Sequence, residues 1–370
     1  MRELFVKRAR RTAAAGLAML VMAAPAAAQR APKTSPPDTA PAPGTAVIPA
    51  LDGALVITVQ ARHAATDVSP YLQRAQDAVY QLDSIVASTD SMADVVRINR
   101  AAGQAPVHVS PDVIRLLGEA RRSWQLSKRL LDPTAVPLVQ SLELRERLPL
   151  VPSAAERDSL RALVDFAAVR IDGAAGTVML PRAGMQLDLS LMARGRGFDV
   201  ARKAFPASAF LGGVIQSGSN ALAFGRPPHG DKWRIQIVAP GVAGGVLGIA
   251  VIDSGAVMIA SDSARSRPDS RHPVRLVDAR TGELPTATAS VIVIAPTAEY
   301  ATATAAALYM LPPDRALAVA DSAGIAAVIV RRVAGGKPAG PSNVLVSRRA
   351  RRLIEFAPAP RRLPAGRGPR

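Results

Sequence analysis

A chain of 370 residues, 49% hydrophobic and 20% charged, is long enough to bury a large core in one domain or two closely packed ones. It holds no cysteine, which excludes disulfides, thiolate metal ligands, a cysteine nucleophile and a lipoprotein-type lipidation site. The net charge of +17 sits at the ends: residues 1–30 hold six Lys or Arg against one Glu, residues 331–370 eleven against one Glu, and about +2 remains between. With no recognition-helix pattern or RNA-reading aromatic motif alongside, that distribution argues against a nucleic-acid partner.

Residues 1–28 read as a signal peptide: a basic MRELFVKRARR, an apolar TAAAGLAMLVMAA, and Ala26-Ala27-Ala28 before Gln29 as the cleavage site. The general secretory route fits better than the twin-arginine one, despite Arg10-Arg11. The apolar run is too short for a membrane span and no other uncharged run reaches that length. The expected location is therefore periplasmic or extracellular, with no transmembrane segment after signal removal. Residues 29–50, rich in Pro, Thr and Ala, read as a linker.

Folded sequence is expected from Ala54, with a β-branched strand through Val59. Helical spacing of apolar residues follows over Pro70–Ser84 and again from Pro111 to Trp124, where the proline suits a first turn. Strands are expected at Gly176–Leu180, Val214–Gln216, Trp233–Val238, Val246–Ile252, Val274–Val277, Ala289–Ile294, Ala326–Val330 and Asn343–Val346. Helices are expected near Arg194–Ala204 and Ala301–Leu311. Helix-rich early and strand-rich late, this order predicts an α+β fold rather than a doubly wound sheet. Residues 351–370 read as a basic solvated tail.

Four scattered histidines, His63, His108, His229 and His272, show no metal-binding spacing. No nucleophile elbow, Walker loop or dinucleotide fingerprint is present, and Gly212, Gly213 and Gly218 read as turn glycines.

An ordered series of segments carries more. DVVRIN ends at Asn99; LLDPTAVPL covers Leu130 to Leu138; LDLSLMARGRGFD covers Leu187 to Asp199. SGSNALAFG follows at Ser217, then WRIQIVAP, VDARTGELP from Val277, and SVIVIAPTAEYATATAAALYML ending at Leu311. In order and spacing, residues 51–350 resemble the FAD:protein FMN transferase (ApbE) family. The resemblance implies T-fold-like strand and helix units around an FAD-binding cleft. It also implies an activity: FAD is split at its pyrophosphate with Mg2+, and FMN is joined through a phosphoester to a Thr of an acceptor flavoprotein. Such a transfer needs a metal to neutralise phosphate charge, donors to cradle the pyrophosphate and a route for the hydroxyl proton.

By the same resemblance, the flavin nucleotide positions are Thr89, Leu130, Leu131, Asp132, Asp188, Arg194 and Arg275, with Asp199 the matching downstream carboxylate. Leu130 and Leu131 replace a small residue and Phe, Arg194 replaces Lys, and Thr89 falls where the family has a stacking Tyr. Asp52-Gly53-Ala54 replaces a Gly-Thr turn, Gly218-Ser219-Asn220 replaces Gly-Gly-Asp, and Ala260-Ser261-Asp262 replaces Thr-Ser-Gly. Arg275 falls near the family's His, and Asp278 is kept while the following Pro becomes Ala279. The implied metal positions are the main-chain carbonyl near Leu191 and the side chains at Thr302 and Ala306, where the family carries Asp and Thr. Both side-chain ligands are thus replaced, and Mg2+ is doubtful. Glu299, three residues before Thr302, is the remaining carboxylate on that helix. Two functions stay open: a divergent transferase completing its metal shell with water or substrate phosphate, or a non-catalytic secreted flavin or nucleotide binder or scaffold. A secreted interaction module with a basic tail is a third.

Overall fold

The computed structural model describes residues 42–87, 90–147, 153–242, 245–261, 275–336 and 339–357. The expected signal peptide lies outside them. The chain opens with a hairpin of β1 (Gly44–Ala50) and β2 (Gly53–Ala61), followed by helices α1 (Ser69–Val86) and α2 (Asp94–Arg100). Strand β3 (Val107–His108) leads to α3 (Pro111–Leu126), α4 (Val136–Arg147) and α5 (Ala154–Arg161), then to β4 (Arg170–Asp172) and β5 (Thr177–Met179). After α6 (Ser190–Arg202) come β6 (Phe210–Ser217), β7 (Asn220–Gly225), β8 (Trp233–Val238), β9 (Val246–Ile252) and β10 (Gly255–Ser261). The last elements are β11 (Thr288–Ala295), α7 (Ala298–Tyr309), α8 (Pro313–Ser322), β12 (Ala326–Arg331), β13 (Val344–Val346) and β14 (Ile354–Phe356).

An eight-stranded sheet, β1-β2-β6-β7-β10-β11-β12-β13, forms the spine; β14-β9-β8 and β3-β5-β4 are small separate sheets. The pairings within these sheets are antiparallel. Because side chains alternate across a strand, a central strand covered on both faces must be apolar throughout, and β11, TASVIVIA, is buried at every position. Val291, Val293 and Ala295 enter the larger core with residues of α1, α3, α6 and α7. Ala289, Ile292 and Ile294 face the other way, against Ile235, Ile237 and Leu247 of the β8–β9 sheet. Burying one such Val or Ile contributes roughly 1.5–3 kcal/mol, so the α+β order has its origin in this two-sided demand.

The predicted strands at Trp233–Val238 and Val246–Ile252 hold to the residue, and the early helices hold within two residues. Four expectations change. Gly212 and Gly213, expected in turns, lie within strand β6 and pair with both β2 and β7. The linker was expected to run to residue 50, yet Gly44–Ala50 is strand β1, its seven residues paired along β2. The basic tail was expected from 351, yet Ile354–Phe356 pairs with Gly248–Ala250 as β14 and Ile354 is buried; residues 358–370 lie outside the described ones. The strand at Val274–Val277 is not formed over its described residues, Arg275 to Val277. Val277 instead packs with Ala135, Leu138 and Leu142 in a small cluster that seats this segment on α4.

Candidate functional site

The motif segments, far apart in sequence, are knotted together through main-chain hydrogen bonds. Asn99, on α2, grips Leu187 from both sides: its Nδ2 donates to the Leu187 carbonyl at 3.0 Å and its Oδ1 accepts from the Leu187 amide at 2.7 Å. The amide of Asp188 donates to the Pro133 carbonyl at 2.9 Å, and the amide of Ala279 donates to the Leu130 carbonyl at 3.0 Å. Asn99, Leu130 to Pro133, Leu187 to Asp188 and Ala279 therefore form one continuous patch.

Within it, side chains divide into those that build and those left facing solvent. Asp132 is buried and fully used: it accepts from Trp124 Nε1 at 2.9 Å, the Phe166 amide at 3.2 Å, and the amide and hydroxyl of Thr134. Both its oxygens are thus spent on shaping the turn. Leu130 and Leu131 are buried, Leu131 anchored by its amide on Ser127 Oγ at 3.1 Å. Asp188 is exposed, with Oδ1 accepting only the Ser190 amide at the start of α6, at 2.7 Å. Its second oxygen makes it the carboxylate of this patch best placed to meet a ligand.

Arg194, the cation expected toward phosphate, and Arg275, near the family's His position, are both paired with carboxylates. Arg194 pairs with Asp52 Oδ2 at 3.3 Å. Arg275, its side chain 9% exposed, is clasped by Glu146 of α4 through both guanidinium nitrogens. Thr89 lies outside the described residues, as do Asp262 and the segment after it. Asn220 uses its carbonyl to accept the Ile259 amide at 2.8 Å, joining the β6–β7 turn to β10. Asp278 holds Arg280 through both carboxylate oxygens; burial alone would raise its pKa, but the Arg280 hydrogen bonds outweigh it and the pKa falls below the ordinary carboxylate value.

The implied metal positions lie where α6 and α7 touch. At Gly195 the backbones come so close that an added Cβ would stand 2.8 Å from the Ala298 carbonyl and from Thr302 Oγ1. Leu191 is partly buried one turn earlier on α6, and Ala306 is wholly buried on α7. Thr302 Oγ1 is buried without a hydrogen-bond partner. Sequence reasoning missed what surrounds Glu299, whose side chain is 3% exposed. Its Oε2 accepts from Arg115 Nε at 3.0 Å and Nη2 at 2.8 Å, and Arg196 Nη1 stands 3.7 Å away. Arg196, itself buried, turns its Nε and Nη2 to Asp112 Oδ1 on α3. Asp199 caps α7, accepting from the Ala298 and Glu299 amides, and burial raises its pKa more than those bonds lower it. No local sequence signal could have joined Arg115 to Glu299, which are 184 residues apart.

Does this set fit Mg2+? A hard cation of that kind takes about six oxygens, usually including a carboxylate. Here Ala306 offers no side-chain oxygen, Thr302 offers one neutral hydroxyl, and Glu299 is neutralised by two guanidinium groups. Among the described residues no group of three or more Asp, Glu or His could hold a metal ion. The donor set does not fit.

The model of the ApbE family matches residues 54–329. The chain belongs to the ApbE family. An FAD:protein FMN transferase of Haemophilus influenzae is 25% identical over 296 residues, 77% of this chain and 82% of the relative. One from Vibrio cholerae is 26% identical over 181 residues, 48% and 51% of the two chains. Among solved structures, the apo flavinyl transferase ApbE of Pseudomonas stutzeri superposes with a TM-score of 0.72 at 23% identity, covering 86% of this chain and 98% of its own. The ApbE protein of Thermotoga maritima gives 0.70 at 22%, covering 85% and all of its chain. The expected ApbE fold and α+β class therefore hold.

Proposed function

We propose that this chain binds FAD at the patch around Asp188 and acts as an FAD:protein FMN transferase outside the cytoplasm. The observation that carries the reading is a relative named for that activity, matched over 77% of this chain. The convergence of Asn99, Pro133, Leu187 and Asp188 supports it. In the reaction, an acceptor hydroxyl attacks the FMN phosphorus of FAD; the bond to the AMP oxygen breaks, AMP leaves, and the hydroxyl proton passes to a base. Leu130 and Leu131 would supply an apolar wall, and the Asp188 carboxylate, held by the first turn of α6, would orient polar groups of the nucleotide. Export rests on the signal-like residues 1–28.

A second reading, a non-catalytic flavin binder of the same fold, is favoured by the engagement of Arg194 and Arg275 with Asp52 and Glu146. Both readings are separated by incubating the full chain with FAD and an envelope-protein extract, then reading in-gel flavin fluorescence after denaturation. A fluorescent band that requires both the chain and FAD supports transfer. FAD binding without any covalent product supports the second reading.

A further inference from the structure

The face of α7 turned toward α3 and α6 carries Glu299, Thr302 and Ala306, spaced three and four residues apart. It meets a guanidinium from each neighbouring helix: Arg115 from α3 and Arg196 from α6, both reaching Glu299 Oε2. Asp112 holds Arg196 from its other side at 2.9 Å. The junction of three helices is thus closed by alternating charge, Asp112, Arg196, Glu299, Arg115; of the other carboxylates around it, Asp199 is given to the first amides of α7 and Glu119 of α3 pairs with Arg122 at 3.3 Å.

We propose that in this chain the α3–α6–α7 junction takes no divalent cation, that Arg115 and Arg196 supply the positive charge that ties it, and that FAD binding is independent of Mg2+. The last clause rests on the FAD reading above. Three observations carry the proposal. First, Ala306 has no oxygen to give and Thr302 has only a hydroxyl, against whose oxygen the Gly195 backbone is packed. Second, an ion at Glu299 Oε1 would sit beside two guanidinium groups already bound to the same carboxylate, and like charges in a buried site repel strongly. Third, on this face of α7 Glu299 Oε1 and Thr302 Oγ1 are buried without partners, one helical turn apart. A hydroxyl proton or one shared water satisfies them; no cation is required.

The test uses the full chain and Mn2+ alone as a spin-active stand-in for Mg2+, followed by FAD titration in EDTA and in Mg2+. The expected results are no saturable Mn2+ signal and FAD affinities equal within about twofold. Saturable Mn2+ binding, or tightening of FAD by Mg2+ of about tenfold or more, would overturn the proposal. Should FAD bind in neither buffer, the FAD reading fails, while the Mn2+ titration still decides the metal question. Glu299→Gln, which removes the anion from between the two guanidinium groups, is expected to lower the melting temperature equally in EDTA and in Mg2+. A fall confined to the Mg2+ sample would count against the arginine tie.

Discussion

Glu119 shows how much a single buried carboxylate can be shaped by its neighbours. It lies on α3 one turn beyond Arg115, pairs with Arg122 at 3.3 Å, and keeps Oε2 buried without a partner. Burial raises its pKa above the ordinary 4.5, with Arg122 pulling the other way and Glu299 and Asp199 adding to the rise. A raised carboxylate pKa means the folded state holds its proton more tightly than the unfolded one. Stability is therefore lost as pH climbs from 4.5 through the folded value. Glu119→Gln removes that titration, so its stability relative to the parent should grow from acid to neutral pH in chemical denaturation. A difference constant with pH would show that Glu119 titrates normally. At the metal positions, Thr302→Asp combined with Ala306→Thr restores oxygen donors and is expected to bring measurable Mn2+ binding to a chain that lacks it. Residue identities at these places were legible in the sequence; their engagement was not. The pairing of Arg194 with Asp52 and of Arg275 with Glu146 joins residues 142 and 129 apart, a separation that no local pattern bridges.

Helix α6 carries two glycines whose substitution should separate by kind of contact. At Gly195 a methyl group would meet main-chain atoms of α7 at 2.8 and 2.9 Å, which cannot yield without moving a helix. At Gly197 it would meet Leu51 Cδ1, the tip of a flexible side chain. Gly195→Ala is therefore expected to cost about 2–3 kcal/mol and Gly197→Ala about 1 kcal/mol or less, measured by urea unfolding; equal losses would contradict the backbone contact. The end of α3 offers the opposite sign. Lys128 has φ 58° and Arg129 φ 68°, and the Arg129 amide returns to the Trp124 carbonyl at 2.7 Å, closing the helix with a lysine where glycine is usual. Lys128→Gly should raise stability by about 0.5–1 kcal/mol. At this scale legibility followed local signal. β11 announced itself through SVIVI, whereas β7 (NALAFG) and β10 (GAVMIAS) carry small residues and glycine whose strand character comes from their neighbours. β1 was hidden in a Pro- and Ala-rich stretch and owes its extension to pairing with β2.

For the whole molecule, main-chain ties join distant segments into one patch while most of the charged side chains around it are paired with one another. The α+β architecture was readable because a long sheet covered on both faces demands long apolar strands in a recognisable order. The family was readable because its motifs keep their sequence order. What sequence reasoning could not supply was the charge closure of the α3–α6–α7 junction, since ion pairs between distant helices leave no periodic trace. The most direct measurement is a fluorescence titration of FAD with the full chain in the presence of Mg2+, so that the metal question does not enter, repeated for Asp188→Ala. Asp188 is exposed, so its loss should leave the fold intact. The account predicts saturable binding that the substitution weakens by about tenfold or more, the loss of one charge-assisted hydrogen bond. Absence of saturable binding by the parent chain, or equal binding by both, would contradict an FAD site built on this patch.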